Sequence, residues 1–479
     1  MPWLFTVCGG NFVSNNRESR SRLRGRCMKY LIIGVLAAVC VPVGTNAQTP
    51  PRTPPQSSTQ APEVIYLDAE ASDPVRMGWM IGSPPPADLV VRIDDLGHMT
   101  FPKTRWSFSH WREMLPSAEV SRDRSAHSVL PRHERSDLDQ VVFTPLGGSQ
   151  PMTWLQSLSE NYTDGILVMH RGNIVYERYF GALKEDGQHI AHSVTKSFVG
   201  TVAAMLVAEG RLDRDALVTR YIPELADSAF GDATVGQVMD MTTGLAYNEV
   251  YTDFNSDAFA FARAGGMMPR PAGYNGPQTT FDYLKTVKKA GEHGQAFAYK
   301  SVNTEVLGWI VSRISGQSLM QVLSERFWKP MGMERDAYLQ IDPAGQGVAA
   351  GGLNLQLRDL GRFCETMRND GQFNGRQIVP AAVVRDIAGG GSQAAFAHAG
   401  YETLPGWSYH NQWWVSHNDH GAYMARGVFG QACYVDPKAE MVIVRFASNY
   451  RAGNALIDPT SLPAYQAVAE HLMSTGSGD

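Results

Sequence analysis

The sequence predicts an α+β fold: an antiparallel sheet flanked by helices, with a second, all-helical lobe. Three observations carry this expectation. Apolar runs lie on either side of a His-Arg-Gly-Asn turn in "ILVMHRGNIVYERYFG", starting at Ile166, which is the pattern of a β-hairpin. A long middle stretch then has helical periodicity, and strand periodicity returns only near the C-terminus, in "WSYHNQWWVS", "GAYMARGVFGQACYVDP" and "EMVIVRFAS". Strands and helices therefore do not alternate, which disfavours a doubly wound parallel sheet and brings early and late strands together in one antiparallel sheet.

Taken in order, the chain of 479 residues opens with Arg17, Arg20, Arg22, Arg24 and Arg26 among its first 27 residues. "MKYLIIGVLAAVCVPVGTNAQ" follows from Met28, with one Lys, an apolar stretch from Leu31 to about Gly44 and a small-residue close at Ala47; it reads as an export signal cut near Ala47. The stretch is shorter than the roughly 20 residues that a spanning helix needs, so no permanent membrane span is expected. Residues 1–27 do not belong before such a signal and read as an extension from a mis-assigned start. Cys40 as a lipidation site is the lesser alternative, since a bulky Val precedes it and the apolar run continues beyond it. Residues 48–62 are a Pro/Ser/Thr-rich leader that reads as disordered, and 63–150 form an irregular arm whose Trp106, Phe108 and Trp111 call for a packing partner.

Residues 151–479 are expected to form the main domain, with the helical lobe at about 208–345. "HSVTKSFVGTVAAMLVAEG" is apolar nearly all round, as a buried helix is, and ends at Gly210. "RLDRDALVTRYIPEL" predicts a turn and a short amphipathic helix, and "TVGQVMDMTTGLAY" a helix closing at Gly244. An irregular excursion from 247 to about 278 has the length of a functional loop. "TFDYLKTVKKA", the segment entered at about Ser301, "SLMQVLSERFWKPMGM", "GGLNLQLRDLGRFCETMRND" and "SLPAYQAVAEHLM" each supply a helix.

Composition narrows the function classes. A net charge of -5 gives no basic surplus for phosphate contacts, and no zinc-finger or helix-turn-helix signature replaces it, so nucleic acid is not an expected partner. His417, Asp419 and His420 in "SHNDHG" lack a third metal ligand or a His-Glu-x-x-His pattern, no dinucleotide or phosphate glycine motif fits its context, and exposure is the expected state of both histidines. No cofactor or metal is expected. Of five cysteines, Cys364 and Cys433 lie after the cut and can make at most one disulfide.

Chemistry concentrates at Ser193 and Lys196. Residues three apart on a helix share a face, so the Lys196 nitrogen reaches the Ser193 hydroxyl. Among apolar neighbours a lysine loses basicity, and the neutral amine can take the serine proton. His192, although adjacent, points elsewhere on a helix.

The run "HSVTKSFVG" resembles the nucleophile segment of the serine beta-lactamase and penicillin-binding superfamily, in the branch that holds class C beta-lactamases, family VIII esterases and 6-aminohexanoate-dimer hydrolases. The last type is the nearest match. The resemblance extends from about Trp106 to about Ser448, through "RWSFSHWRE", "SVTKSF", "YKSVNTEVLGW", "GGLNLQLRDLGRF" and "GVFGQACYVDP" in the expected order. It implies a beta-lactamase/transpeptidase-like fold, Ser193 as acylated nucleophile and Lys196 as its base. The superfamily's second motif falls on Tyr299, which would assist proton transfer to the leaving group, with Ser301 where the motif usually ends in Asn. A second tyrosine of the branch lies on the excursion loop; Tyr251 fits better than Tyr247, with Asp253 and Asn255 as further substrate contacts. The third motif, Lys or His followed by any residue and Gly, is missing from "RGVFGQ" at 426–431. What remains there is backbone: the N–H groups of Ser193 and of an edge strand near Val428 would stabilise the oxyanion, with Gly427 and Gly430 permitting close approach. Arg426, His417 or His420 would take over the missing cation's hold on a substrate carboxylate.

The expectation is therefore a periplasmic or secreted serine hydrolase of small amides or esters, working through an acyl-enzyme. Alternatives are a family VIII-type carboxylesterase, a D-peptidase, or a non-catalytic penicillin-binding-like envelope protein.

Overall fold

The turn that the sequence marks as a hairpin is one. In the computed structural model, which describes residues 66–475 except Ala126 and Thr252, β1 (Thr163–His170) reverses at Arg171 and Gly172 into β2 (Asn173–Tyr179). Both turn residues have positive φ, 50° and 78°, the backbone twist that matches two paired strands. The proposed signal, its cut, the leader and Cys40 lie outside the described residues.

The C-terminal strands are β3 (Ser408–His410), β4 (Trp413–Val415), β5 (Tyr423–Gly427), β6 (Gln431–Asp436) and β7 (Met441–Ala447). They join the hairpin in a seven-stranded antiparallel sheet of order β3-β4-β5-β6-β7-β1-β2. Early and late strands meet where β7 pairs with β1, Arg445 opposite Ile166. Neighbouring residues of β1 and β7 go to opposite cores. Leu167, Met169, Val442 and Val444 pack beneath Leu357, Leu360 and Phe363, whereas Ile166, Val168, Met441 and Ile443 pack beneath Tyr465, Val468 and Leu472. Both faces are covered, so "MVIVRFA" shows no apolar–polar alternation.

Four principal helices complete the layers: α1 (Val194–Ala208), α2 (Ser301–Ser315), α3 (Leu357–Arg368) and α4 (Asp458–Thr475). Helix α1 is buried from Val194 to Leu206. Gly200 lets the β3–β4 turn lie directly on it, since a Cβ there would sit 2.2 Å from the Asn411 carbonyl oxygen. Cys364 of α3 and Cys433 of β6 form a disulfide with Cα atoms 6.1 Å apart, which fastens the helix to the sheet. Among the described residues no helix is long and apolar enough to cross a membrane.

Several helices end earlier than the sequence predicts. "RLDRDALVTRYIPEL" makes two short 3-10 turns, Val218–Arg220 and Pro223–Leu225. Pro223 drives Ile222 out of helical geometry, to φ -129° and ψ 75°, so no α-helix can pass through. The helix expected to close at Gly244 spans Val235–Met239, and Met241 turns at φ 51°. Helix Thr280–Leu284 stops before Lys288–Lys289, which pairs with Leu245–Ala246. A four-stranded sheet of Ser117–Val120, Ala337–Gln340, Leu353–Leu355 and His189–Ile190 is a further addition; strands of two to four residues carry too short a period to be read. The described residues from 66 onward, the arm included, form one compact unit. Trp106, Phe108 and Trp111 of the arm are buried.

Candidate active site

Ser193 sits at the start of α1 because the chain turns sharply just before it. His192 has φ 44°, and Val194, Thr195 and Lys196 donate N–H bonds back to the carbonyls of Ala191, His192 and Ser193. The turn is pinned to the small sheet: Ala191 N–H donates to Leu353 O at 2.8 Å, and the Thr195 hydroxyl accepts from Leu353 N–H at 3.1 Å. Ser193 retains 8% exposure and Lys196 only 1%.

Lys196 Nζ lies 2.9 Å from Ser193 Oγ and 2.5 Å from the Ala350 carbonyl oxygen. Its close polar partners are thus a hydroxyl and a carbonyl rather than a carboxylate. Burial lowers its pKa to about 8, against the more distant pull of Glu249 and Glu305. Near neutral pH a useful fraction of Lys196 is therefore an uncharged amine able to accept the Ser193 proton.

Tyr299, two residues before α2, lies with its ring centroid 5.2 Å from Lys196 Nζ and packs against Trp414 at 5.4 Å. Burial first, then Glu249, raise its pKa well above the ordinary phenol value, while hydrogen bonding with Ser193 opposes them. The phenol stays protonated, and so can both donate and accept. Tyr251 is 42% exposed, and its hydroxyl donates to Glu249 Oε2 at 2.9 Å. Desolvation and then Glu249 raise its pKa too, with Tyr299 also facing it; being more exposed, it is the better screened by water. Tyr247 is buried and packs edge-on against Tyr283.

Glu249 is the residue that sequence reasoning missed. It also accepts the Ser301 N–H, capping the start of α2, so one carboxylate ties the excursion loop to the helix carrying the second motif. An acid two residues before Tyr251, in a loop otherwise rich in aromatics and Gly, was the available signal. Ser301 is half-buried, and its backbone rather than its hydroxyl makes this contact. Asp253 is exposed and accepts the Asn255 N–H at 2.9 Å, closing its own turn.

The strand end near Val428 comes up against the turn before Ser193 for a reason the sequence does not display. Strand β5 is interior, but its pairing with β4 covers only Tyr423 and Met424, leaving Ala425–Gly427 open on that side. Gly427 then lies against the nucleophile turn: a Cβ there would be 2.8 Å from Ala191 O. Gly430, at φ 99°, makes the return into β6. The expected edge strand is thus the overhanging end of an inner one.

The candidate anion anchors are otherwise engaged. Arg426 pairs with Asp458, both buried, and lies 5.0 Å from the Trp414 ring. His417 is exposed and within 2.7 Å of Ser408 Oγ. His420, expected to be exposed, is buried because its Nδ1 pairs with Asp436 at 2.8 Å. His192 sits among Phe108, Phe429 and Trp111, where burial lowers its pKa to about 3 and keeps it neutral. Among the described residues no group of three His, Cys, Asp or Glu gathers as a metal site.

The family model described as Beta-lactamase matches residues 155–460. A 6-aminohexanoate-dimer hydrolase of Paenarthrobacter ureafaciens is 35% identical over 348 residues, 72% of this chain and 86% of that protein. Esterase EstB of Burkholderia gladioli is 28% identical over 37% of this chain and 47% of its own length. Among solved structures, a Bacillus anthracis protein provisionally named 6-aminohexanoate-dimer hydrolase superposes with a TM-score of 0.74 at 34% identity, covering 82% of this chain and 99% of that one.

Proposed function

Because the chain belongs to the beta-lactamase family and is a serine hydrolase related to the 6-aminohexanoate-dimer hydrolases, we propose that it cleaves small linear amides or esters through an acyl-enzyme on Ser193. The observation that carries this reading is the buried Lys196 amine 2.9 Å from Ser193 Oγ. Neutral Lys196 takes the hydroxyl proton as Oγ attacks the substrate carbonyl. The N–H groups of Ser193 and Val428 hold the oxyanion. Tyr299, with Tyr251, whose hydroxyl donates to Glu249, passes a proton to the departing amine or alcohol, and water then releases the acid by the reverse route. The pairing of Arg426 with Asp458, and the lack of Lys or His in the third motif, favour substrates without a carboxylate beside the scissile bond, so beta-lactams are disfavoured.

The protein works outside the cytoplasm in this proposal. The export signal beginning at Met28 supports it, as does the Cys364–Cys433 disulfide, a bond that oxidising compartments preserve. Cell fractionation, with the mature N-terminus read by mass spectrometry, should place the protein outside the cytoplasm and beginning near Gln48; an uncut cytoplasmic chain refutes this part.

The central test is labelling by a fluorophosphonate. The intact protein should gain one adduct, and Ser193→Ala none. Labelling that survives in Ser193→Ala, or no labelling of the wild type, refutes the mechanism. Turnover of 6-aminohexanoate dimer, p-nitrophenyl butyrate and nitrocefin then ranks amide, ester and beta-lactam, with nitrocefin expected to be the slowest.

A further inference from the structure

The Lys196 amine is aimed by a carbonyl, and that carbonyl is itself held. Ala350 lies in the turn that leads into Leu353–Leu355, next to Gly351 and Gly352, where nothing in the local sequence would fix a peptide plane. The clamp comes from α2. Glu305, in its second turn and 4% exposed, accepts the Ala349 N–H on Oε2 at 3.1 Å and the Ala350 N–H on Oε1 at 2.9 Å. The carbonyl of the same Ala350 accepts from Lys196 Nζ.

We propose that Glu305 is a positioning residue for Lys196, acting through the Ala349–Ala350 segment; the proposal rests on Lys196 being the base. Two charge-assisted bonds from one carboxylate fix the orientation of that segment. The Ala350 oxygen belongs to the next peptide plane, which the Gly352 N–H bond to Val348 O at 3.0 Å closes onto the clamped segment, so a shift of that segment carries the oxygen away from Nζ. The geometry also explains how a carboxylate persists in the interior of an apolar helix face, where an unsatisfied one would be expensive. Glu305 faces Lys196 from α1 and Asp342 from the chain before the turn, and Lys196 faces Glu249 as well as Glu305. Burial pushes the Glu305 carboxyl up to about 7, so it is partly ionised at neutral pH and its charge favours the protonated form of Lys196.

Glu305→Gln removes that charge and can accept only one of the two N–H groups, because its amide nitrogen is a donor. With p-nitrophenyl butyrate, kcat should fall roughly 10- to 100-fold, as expected for a displaced catalytic group, while KM changes less than about twofold. The acid limb of fluorophosphonate labelling rate against pH should also move to lower pH, because Lys196 loses a carboxylate that holds its proton. Glu305→Asp keeps the charge but is too short to reach both N–H groups, so kcat should fall while the acid limb stays near that of the wild type. Unchanged kcat in both variants overturns the proposal. So does a fall in activity that follows a loss of folded protein, with the acid limb of the folded fraction unmoved in Glu305→Gln. If Glu305→Gln does not accumulate, Glu305→Asp decides by its kcat alone. Lys196→Ala separates this proposal from its premise: wild-type activity there removes Lys196 as base, whereas an inactive Lys196→Ala beside fully active Glu305 variants refutes only the positioning role.

Discussion

Two buried polar clusters lie on either side of the nucleophile turn, and they treat charge in opposite ways. In the first, Asp164 of β1 accepts from Arg105 of the arm on Oδ1 at 3.0 Å and from Ser448 on Oδ2 at 2.5 Å, with His189 Nε2 at 3.2 Å from the same oxygen. Arg105 also donates to the Tyr162 carbonyl at 2.9 Å. In the second, Lys196 has only a hydroxyl and a carbonyl at hydrogen-bond distance, with Glu249 and Glu305 standing farther off. Pairing gives Arg105 and Asp164 each a direct counter-charge and joins the arm, the sheet and the turn before Ser193. Withholding a direct counter-ion leaves Lys196 close to giving up its proton. Equal burial thus yields an ion-paired anchor in one place and a lysine of lowered pKa in the other, and the deciding variable is the distance to an opposite charge.

Mutations can break this contrast from either side. Lys196→Met should produce the largest effect, a loss of roughly a thousandfold or more in kcat/KM for an ester substrate, yet a stability at pH 7 that is equal or higher by about 1–3 kcal/mol, since it removes a buried ammonium without a counter-ion. The sign follows from the lowered pKa of about 8 against 10.5. Below about 8 the lysine is protonated in both folded and unfolded chains, and the burial penalty is present in full. From about 8 to 10.5 only the unfolded chain keeps the proton, so wild-type stability should rise with pH relative to Lys196→Met. Urea denaturation at several pH values checks this; a Lys196→Met protein that is markedly less stable than the wild type would mean that Lys196 is an anchor after all.

Asp164→Asn should do the opposite. It leaves Arg105 buried without its counter-ion and should destabilise by about 3–5 kcal/mol, while kcat of the folded fraction changes far less than in Lys196→Met. Smaller still is the pH effect on the wild type: kcat/KM should fall about tenfold per unit as pH drops well below the Lys196 value of about 8, and a profile flat down to about pH 5 would contradict a lysine base. The smallest expected change is that of Glu249→Gln, which keeps one acceptor for Tyr251 or Ser301 but not a full carboxylate for both. A decline of about tenfold in kcat is expected, read most cleanly by comparing amide with ester, because the better ester leaving group depends less on Tyr251.

The sequence was readable wherever the relevant contact is local. Ser193 and Lys196 are three residues apart, and helical geometry alone puts them on one side. The Arg171–Gly172 turn follows from the apolar runs on either side of it. Glu249, Glu305 and Asp164 escaped because their partners are distant: Glu249 reaches Ser301 across 52 residues, Glu305 reaches Ala350 across 45, and Arg105 reaches Asp164 across 59. No periodicity encodes such pairings. The burial of His420 and the pairing of Arg426 were illegible for the same reason, as their partners Asp436 and Asp458 lie elsewhere in the chain.

Local pattern and motif order thus determined, without help, that this chain carries an antiparallel sheet between helices, and that a serine and a lysine meet at the start of a buried helix. Tertiary structure alone decided which charges would be neutralised and which left poised. Solvation and ion pairing depend on what the rest of the chain brings within a few ångströms: an Asp for Arg105 and Arg426, but for Lys196 only the Ser193 hydroxyl and a backbone oxygen of the turn held by Glu305.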